Sequence, residues 1–241
     1  MAYETTTIGD RNARASLPAL TGSSDAAATR IVLLRPERAS AAGTVLARSH
    51  ADYPSFNHLF PEPARRARAL KAMFTGITRD AARLESAYAA IAADDSVLGV
   101  AVWLAPGRYP WSAWRQLRGA GWMLRVLRAA PSSFRAFMQT GANGARLHPR
   151  DSHWYLEAMG VDPAHQRRGL GGQLIEPALE IADRDQVECY LETARPENVD
   201  YYARYGFVVE NRSLQVVPDG RAHIAMRRGR IGSSRPVADR D

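Results

Sequence analysis

The chain has 241 residues, 46% of them hydrophobic and 24% charged, which is enough for one soluble domain with a complete core. Its single cysteine, Cys189, excludes an internal disulfide, and no apolar run approaches the ~18 residues that a membrane span needs. The net charge of +7 leaves nucleic acid, a membrane surface or an anionic cofactor open as partners.

The first part of the chain predicts a flexible arm followed by strands and helices. Residues 1–28 are rich in Thr, Ser, Ala and Gly without periodicity, so we predict an arm that precedes a single domain over 29–228. The run Val97–Leu104 is fully apolar and follows a turn at 94–96, which predicts the second strand of an antiparallel pair. The predicted elements are strand 31–34, helices 37–49 and 61–76, and strands 84–93 and 97–104.

Residues 106–150 contain eight arginines and neither aspartate nor glutamate. Trp111, Trp114, Leu117 and Trp122 recur there at roughly helical spacing, with arginines between them. Three interpretations stay open: two helices packed on the domain, a lid that shapes a substrate pocket, or a membrane or nucleic-acid surface. A lid of this charge would attract carboxylates or phosphates and disfavour polycationic substrates.

The second half of the chain alternates strands with helices and ends in a polar tail, predicted to be disordered over 229–241. The predicted elements are strand 154–161, helix 170–183, strand 187–193, helix 198–204, and strands 207–216 and 221–227. Strands and helices that alternate in this way predict a sheet covered by helices.

The most informative stretch is 166–172, Gln-Arg-Arg-Gly-Leu-Gly-Gly, which joins a predicted strand to a helix. The first N–H groups of a helix have no acceptor inside the helix and carry partial positive charge, so this position favours an anion. Its three glycines let a phosphate approach the backbone, and two arginines add guanidinium donors. A Walker A loop is excluded because the only lysine, Lys71, is far away, and adjacent glycines break the dinucleotide pattern. The stretch predicts a diphosphate site.

This stretch resembles the signature of the GNAT superfamily of acetyl-CoA-dependent N-acetyltransferases, Gln/Arg-x-x-Gly-x-Gly/Ala after a strand. Gln166, Gly169 and Gly171 occupy its fixed positions. Further along, Asn198 follows the next predicted strand, and Tyr202 begins the family's Tyr-x-x-x-Gly-Phe ending. Both halves of the pattern occur in order and at the family's usual separation.

The resemblance covers roughly residues 30–228 and implies a fold, a cofactor and a site. The implied fold class is α/β (α+β): a mixed, mostly antiparallel, twisted sheet of about seven strands, with helices on both faces and a helical insertion between strands 3 and 4. In the family two parallel strands splay apart at a bulge, which we expect at 159–161. The implied cofactor is acetyl-CoA (coenzyme A). The residues expected to bind it are Met159, Val161, Gln166, Arg167, Arg168, Gly169, Gly171, Gly172, Asn198 and Tyr202.

Three residues are candidates for catalysis. Tyr202 is the expected general acid, because a phenol of pKa ~10 stays protonated at neutral pH and can protonate a departing thiolate. Glu157 and Glu192 each interrupt an apolar strand and are alternative general bases, unless each only pairs with a nearby arginine or hydroxyl. Cys189 has no histidine nearby in its strand and is expected to be inert. No His, Cys or Asp cluster has metal-ligand spacing, so no metal is expected.

The resemblance implies an N-acetyltransferase that transfers an acetyl group to a primary amine of a small molecule by direct attack in a ternary complex. A protein or peptide N-acetyltransferase of the same fold, a non-catalytic acyl-CoA sensor and, from the net charge, a nucleic-acid-binding protein stay open. The expected partner is a small-molecule amine, without nucleic acid or membrane, and the expected state is a monomer or homodimer. One cysteine and no signal pattern predict a cytoplasmic protein.

Overall fold

The computed structural model describes residues 29–232, so the predicted arm and residues 233–241 lie outside the described part. Within that part seven strands form one sheet in the order β1-β2-β3-β4-β5-β7-β6. Only β4 and β5 of these strands pair in parallel. This mixed, mostly antiparallel sheet confirms the predicted fold class. The strands are β1 (Arg30–Leu33), β2 (Ala87–Ile91), β3 (Val97–Leu104), β4 (His153–Val161), β5 (Glu188–Thr193), β6 (Val208–Leu214) and β7 (His223–Arg228).

Seven α-helices lie within residues 29–232. The predicted strand at 84–93 begins too early, because α3 continues to Arg83 and the chain turns at Glu85, whose φ is 51°. Helix α2 was not predicted, since its six residues are too few to show a helical period. The helices are α1 (Ala39–Ser49), α2 (Pro54–Leu59), α3 (Pro63–Arg83), α4 (Ala113–Ala129), α5 (Phe134–Leu147), α6 (Leu170–Arg184) and α7 (Glu197–Ala203).

Both faces of the sheet are covered. On one face Leu174 of α6 packs with Trp103, and on the other Leu46 of α1 packs in a second cluster with Val102. Successive residues of a strand point to opposite faces, so β3 supplies side chains to both clusters. This two-sided burial explains why Val97–Leu104 is an uninterrupted apolar run.

The parallel pair β4–β5 is short, and this creates the site. Its pairing ends at Leu156 and Leu191, although both strands continue. On the other side of β4 the register shifts between Val102 and Trp103, which leaves Glu157 as the extra residue of a β-bulge. The two strands separate from this point, as the resemblance implied.

The bulge expected at 159–161 is wrong in position. Met159, Gly160 and Val161 pair with β3 in regular register, and the bulge lies at Glu157. Position 160 is glycine for another reason: a Cβ on Gly160 would lie 2.0 Å from the Oγ of Ser49 at the end of α1. Gly160 therefore lets α1 approach β4 closely.

Helices α4 and α5 occupy the predicted insertion between β3 and β4. Helix α4 is fixed to α3 by a buried ion pair in which Arg115 Nη2 lies 2.6 Å from Asp80 Oδ2. The Arg115 guanidinium also stacks over the Trp111 ring at 4.5 Å. The structure thus shows two helices packed on the rest of the fold, the first of the three interpretations. Between residues 29 and 232, no helix combines the length and hydropathy needed to cross a membrane.

Candidate active site

A cleft opens where β4 and β5 separate. Its empty volume, including the open mouth, is ≈ 840 Å³. Its walls come from the α1–α2 segment, strands β4, β5 and β7, and helices α3, α5 and α7. Five predicted site residues line it: Glu157, Met159, Glu192, Asn198 and Tyr202. Residues more than 40 positions apart in the sequence therefore share one surface.

The lining of the cleft is acidic, although the chain is basic. Among the described residues that line it there are two glutamates and neither arginine nor lysine. The insertion contributes Thr140, while its Arg115 points to Asp80 instead. A charged lid was one of the three interpretations left open for 106–150, and the insertion brings none of its arginines to this lining. The local charge favours a cationic group in the cleft.

Glu157 and Glu192 flank the opening between the strands. Each directly follows the last paired residue of its strand, Leu156 on β4 and Leu191 on β5. Neighbouring strands lie ~4.8 Å apart, so the two carboxylates stand on either side of the point of separation. The two alternative bases of the sequence analysis thus belong to one site.

Glu157 has the properties of a proton acceptor near neutral pH. Its Oε2 is buried and has no hydrogen-bond partner among the described residues. Burial raises the pKa of Glu157 to about 7; the Arg115 guanidinium lowers it, Asp80 raises it further and a hydrogen bond with Trp111 lowers it. A base is most effective when its pKa lies close to the working pH.

Glu192 is engaged by other side chains. The Tyr190 hydroxyl donates to its Oε1 at 3.1 Å, and its Oε2 lies 3.7 Å from Nδ1 of His223. Nε2 of the same histidine is 2.8 Å from the Oγ of Ser55. Glu192 therefore pairs with a hydroxyl, as one interpretation held, whereas Oε2 of Glu157 has no such partner in the described part of the chain.

Tyr202 lies on α7 and reaches the cleft, with 8% of its surface exposed. Burial raises the pKa of the Tyr202 hydroxyl above its ordinary value, and nearby Tyr53 reinforces this shift. Its ring meets Phe207 edge-on at 6.0 Å between centroids. The phenol therefore stays protonated at neutral pH, which suits a proton donor and not a base.

A hydrogen-bonded cluster fixes the end of β5 to α7. Thr193 Oγ1 accepts a hydrogen bond from Asn198 Nδ2 at 3.0 Å and lies 3.2 Å from the Tyr53 hydroxyl. The Ala194 N–H donates to that hydroxyl at 2.6 Å. The Nδ2 of Asn198 is thus used within the protein. The cluster holds Tyr202, one turn further along α7, against the strand.

The predicted diphosphate loop lies exposed at the start of α6. Gly169 caps the helix with φ 78°, and a Cβ placed there would meet nothing within 4 Å. Arg167, with φ 62°, and Arg168 are exposed beside it. Gln166 Nε2 donates to the Val161 carbonyl at 3.1 Å, which ties the loop to the end of β4. This open backbone, next to two guanidinium groups, fits a diphosphate.

Packing against two tyrosines explains why positions 171 and 172 are glycine. A Cβ on Gly171 would lie 2.5 Å from the Tyr201 hydroxyl oxygen, and one on Gly172 would lie 2.6 Å from that of Tyr205. Their missing side chains make room for Tyr201 of α7 and for Tyr205, which follows that helix. Gly171 and Gly172 therefore have a packing reason to lack a side chain, and their contact with a phosphate stays a prediction.

The loop and the cleft are separate regions joined by β4. None of residues 166–172 lines the cleft, and neither does Val161. Strand β4 passes the cleft at Glu157 and Met159 and then leads into the loop. An extended ligand lying along the edge of β4 that no longer pairs with β5 can therefore contact both regions.

Several residues that line the cleft were not predicted from sequence. Ser55 and His223 lie 168 positions apart, and no local pattern connects them. Tyr53 and His50 precede a helix that was also not predicted, and burial lowers the pKa of His50 to about 4, so it is neutral.

Burial raises the pKa of Cys189 to about 12, which agrees with an inert thiol. Residues 29–232 contain no cluster of metal-ligating side chains.

The sequence matches the model of the acetyltransferase (GNAT) family over residues 53–207. This range is more than half of the chain and includes strands β4 and β5, the loop and Tyr202. The chain belongs to the GNAT family of acetyltransferases. An uncharacterized N-acetyltransferase of Schizosaccharomyces pombe is 30% identical over 131 residues, which are 50% of this chain and 53% of that protein. The chain thus spans about half the length of this curated relative.

Two solved structures share the fold. A histone acetyltransferase HPA2 and related acetyltransferase from Corynebacterium glutamicum superposes with a TM-score of 0.61 at 20% identity, covering 87% of this chain and 99% of that one. The PaiA N-acetyltransferase of Thermoplasma acidophilum, solved with coenzyme A, gives a TM-score of 0.51 at 14% identity over 84% and 99% of the chains. At these identities the similarity establishes the GNAT fold.

Proposed function

We propose that this GNAT protein is an acetyl-CoA-dependent N-acetyltransferase that acetylates a primary amine of a small molecule by direct attack in a ternary complex. The strongest support is that Glu157 and Tyr202 line one cleft where β4 and β5 separate. When bound, acetyl-CoA supplies the acetyl group as a thioester. Loop residues 166–169 would hold its diphosphate. The part of β4 near Met159, which no longer pairs with β5, would hold its pantetheine arm.

The residues of the cleft account for the proton transfers. An alkylammonium must lose a proton before it can attack, and Glu157, with a pKa of about 7, accepts it. The neutral amine would then bond to the acetyl carbon as the carbon–sulfur bond breaks, and the second proton that its nitrogen loses would restore the Tyr202 hydroxyl. Tyr202, buried and protonated, donates its proton to the departing sulfur. Backbone N–H groups of β4 past Leu156 have lost their β5 partner and can stabilise the carbonyl oxygen.

The composition of the cleft supports a cationic small molecule as the acceptor. Two glutamates attract an ammonium group, and Phe56 and Phe74 give the same cleft an apolar wall. Thr140 of the insertion bounds the cleft, which favours a small molecule over a protein chain. Segments 153–156, 165–166 and 191–193 resemble puromycin N-acetyltransferase, so aminonucleosides related to puromycin are one candidate acceptor class. We place the protein in the cytoplasm, as a monomer or homodimer.

A thiol-release assay with acetyl-CoA and a panel of amines tests this proposal. We expect release of coenzyme A that depends on the amine, with an equimolar product heavier by one acetyl group in the mass spectrum. The chain's own thiol, Cys189, is buried and contributes no signal. Acetyl-CoA binding without turnover on any amine would instead indicate a sensor, and turnover on peptides alone would indicate a protein acetyltransferase.

A further inference from the structure

The outer face of α4 is apolar and exposed to an unusual degree. Trp114 is 64% exposed, Leu117 65% and Leu124 42%. Their spacing of three and seven residues places them on one side of the helix. Large apolar side chains that are exposed side by side mark a surface where something binds.

The domain itself does not use this face. Helix α4 packs on α3 through its other side, where Arg115, Gly119 and Val126 are buried. Contact between the two helices is close: a Cβ on Gly76 of α3 would lie 2.3 Å from the ring of Trp122. The packing of α4 on α3 therefore leaves these apolar side chains exposed.

Arginines occupy the same outer face. Arg118, Arg125 and Arg128 follow the exposed apolar residues at helical spacing and are exposed. Arg118 lies 3.6 Å from Asp80, whereas Arg125 and Arg128 have no carboxylate partner within the described ranges of the chain. The charge of Arg125 and Arg128 is therefore not neutralised by an ion pair in the described part of the chain.

We propose that the outer face of α4 docks on an anionic lipid surface. A helix with tryptophan and leucine between arginines buries its apolar side chains at the headgroup boundary, while its guanidinium groups bind lipid phosphates. The contact is peripheral, because no helix among residues 29–232 can span a membrane. This departs from the sequence-based expectation of no membrane partner, and it does not depend on the proposed enzymatic activity.

Two other occupants fit this face less well. A second copy joined by two-fold symmetry would set the arginines of one α4 against those of the other. A nucleic acid would neutralise the arginines but would leave Leu117 and Leu124 exposed, since aliphatic side chains do not stack on bases as aromatic rings do. An anionic lipid surface offers phosphates to the arginines and also buries the apolar side chains.

Co-sedimentation with vesicles tests the proposal, with phosphatidylcholine vesicles compared with vesicles that also contain phosphatidylglycerol. We expect binding only to the anionic vesicles, weaker binding at higher ionic strength, and a blue shift of the tryptophan emission that is lost when Trp114 is replaced. The double variant Arg125→Gln/Arg128→Gln should bind about fivefold more weakly per arginine. The variant Trp114→Ala/Leu117→Ala should lose binding by roughly tenfold or more.

A matched control removes the same charge elsewhere: Arg212→Gln/Arg221→Gln, both exposed and outside the insertion, should bind like the parent protein. All variants should keep the parent's unfolding temperature. The proposal is overturned by equal binding to both vesicle types or by no binding to either. It is also overturned if the protein forms a dimer that Trp114→Ala/Leu117→Ala dissociates, or if the same variants abolish binding to DNA and not to vesicles.

Discussion

Tyr202 is the residue whose role can be separated most cleanly from its packing. We expect Tyr202→Phe to lower kcat by at least about tenfold, because it removes the proton donor to the departing thiol and keeps the ring against Phe207. The dissociation constant for acetyl-CoA, measured by calorimetry, should change little. Tyr201→Phe is the matched control, because its hydroxyl is buried against Gly171 and does not line the cleft. Unchanged turnover in Tyr202→Phe would remove this residue from the mechanism.

Glu157 should determine how activity depends on pH. Its carboxyl must be ionised to accept a proton, so kcat/KM should rise with pH through about 7. Glu157→Gln should lower kcat/KM and abolish this limb of the profile. Glu192→Gln should keep the limb, since Tyr190 and His223 already engage that carboxylate. A limb that persists unchanged in Glu157→Gln would assign the base elsewhere.

The same residue links stability to pH. The folded protein holds a proton on Glu157 more tightly than the unfolded chain does, because burial raises its pKa from 4.5 to about 7. This contribution to the free energy of unfolding is complete below the ordinary pKa, falls as pH rises towards about 7, and is flat above it. Denaturant unfolding of Glu157→Gln should show a smaller decline over that range than the parent protein. An identical pH dependence in the two proteins would contradict the shifted pKa.

At the scale of elements, the contact between α6 and α7 depends on a missing side chain. A Cβ on Gly171 would lie 2.5 Å from the Tyr201 hydroxyl oxygen, so Gly171→Ala should lower the free energy of unfolding by about 1–3 kcal/mol. The Tyr201 hydroxyl is buried without a hydrogen-bond partner in the described structure, so Tyr201→Phe costs little by itself. The double variant should recover most of the loss in a denaturant titration. Equal losses in the single and double variants would show that this contact does not require glycine.

The strands and helices also show which features of the fold and the site could be predicted from the sequence. The apolar run Val97–Leu104 predicted β3 to the residue, because burial on both faces leaves a clear local pattern. The bulge was misplaced because Gly160 is explained by Ser49, a contact across more than 100 residues that no local pattern records. Likewise, a carboxylate in an apolar strand indicated Glu157 and the resemblance to the GNAT family indicated Tyr202, whereas the pairing of Ser55 with His223 exists only after folding.

At the scale of the whole molecule, charge is divided between two surfaces. One interpretation of the basic insertion made it a lid over the substrate, yet the cleft presents two glutamates and none of the insertion's arginines. Part of the positive charge lies instead on the outer face of α4, away from the cleft lining. Total charge can be read from composition, but its distribution depends on which side of each helix packs inward.

The central claim is that the separation of β4 from β5 receives the thioester while the loop before α6 receives the diphosphate. A crystal structure with bound acetyl-CoA tests this most directly. We predict that the acetyl carbonyl lies between Glu157 and Tyr202, and that the diphosphate contacts the backbone at 166–169. A cofactor bound elsewhere, with this loop and cleft left empty, would contradict the account.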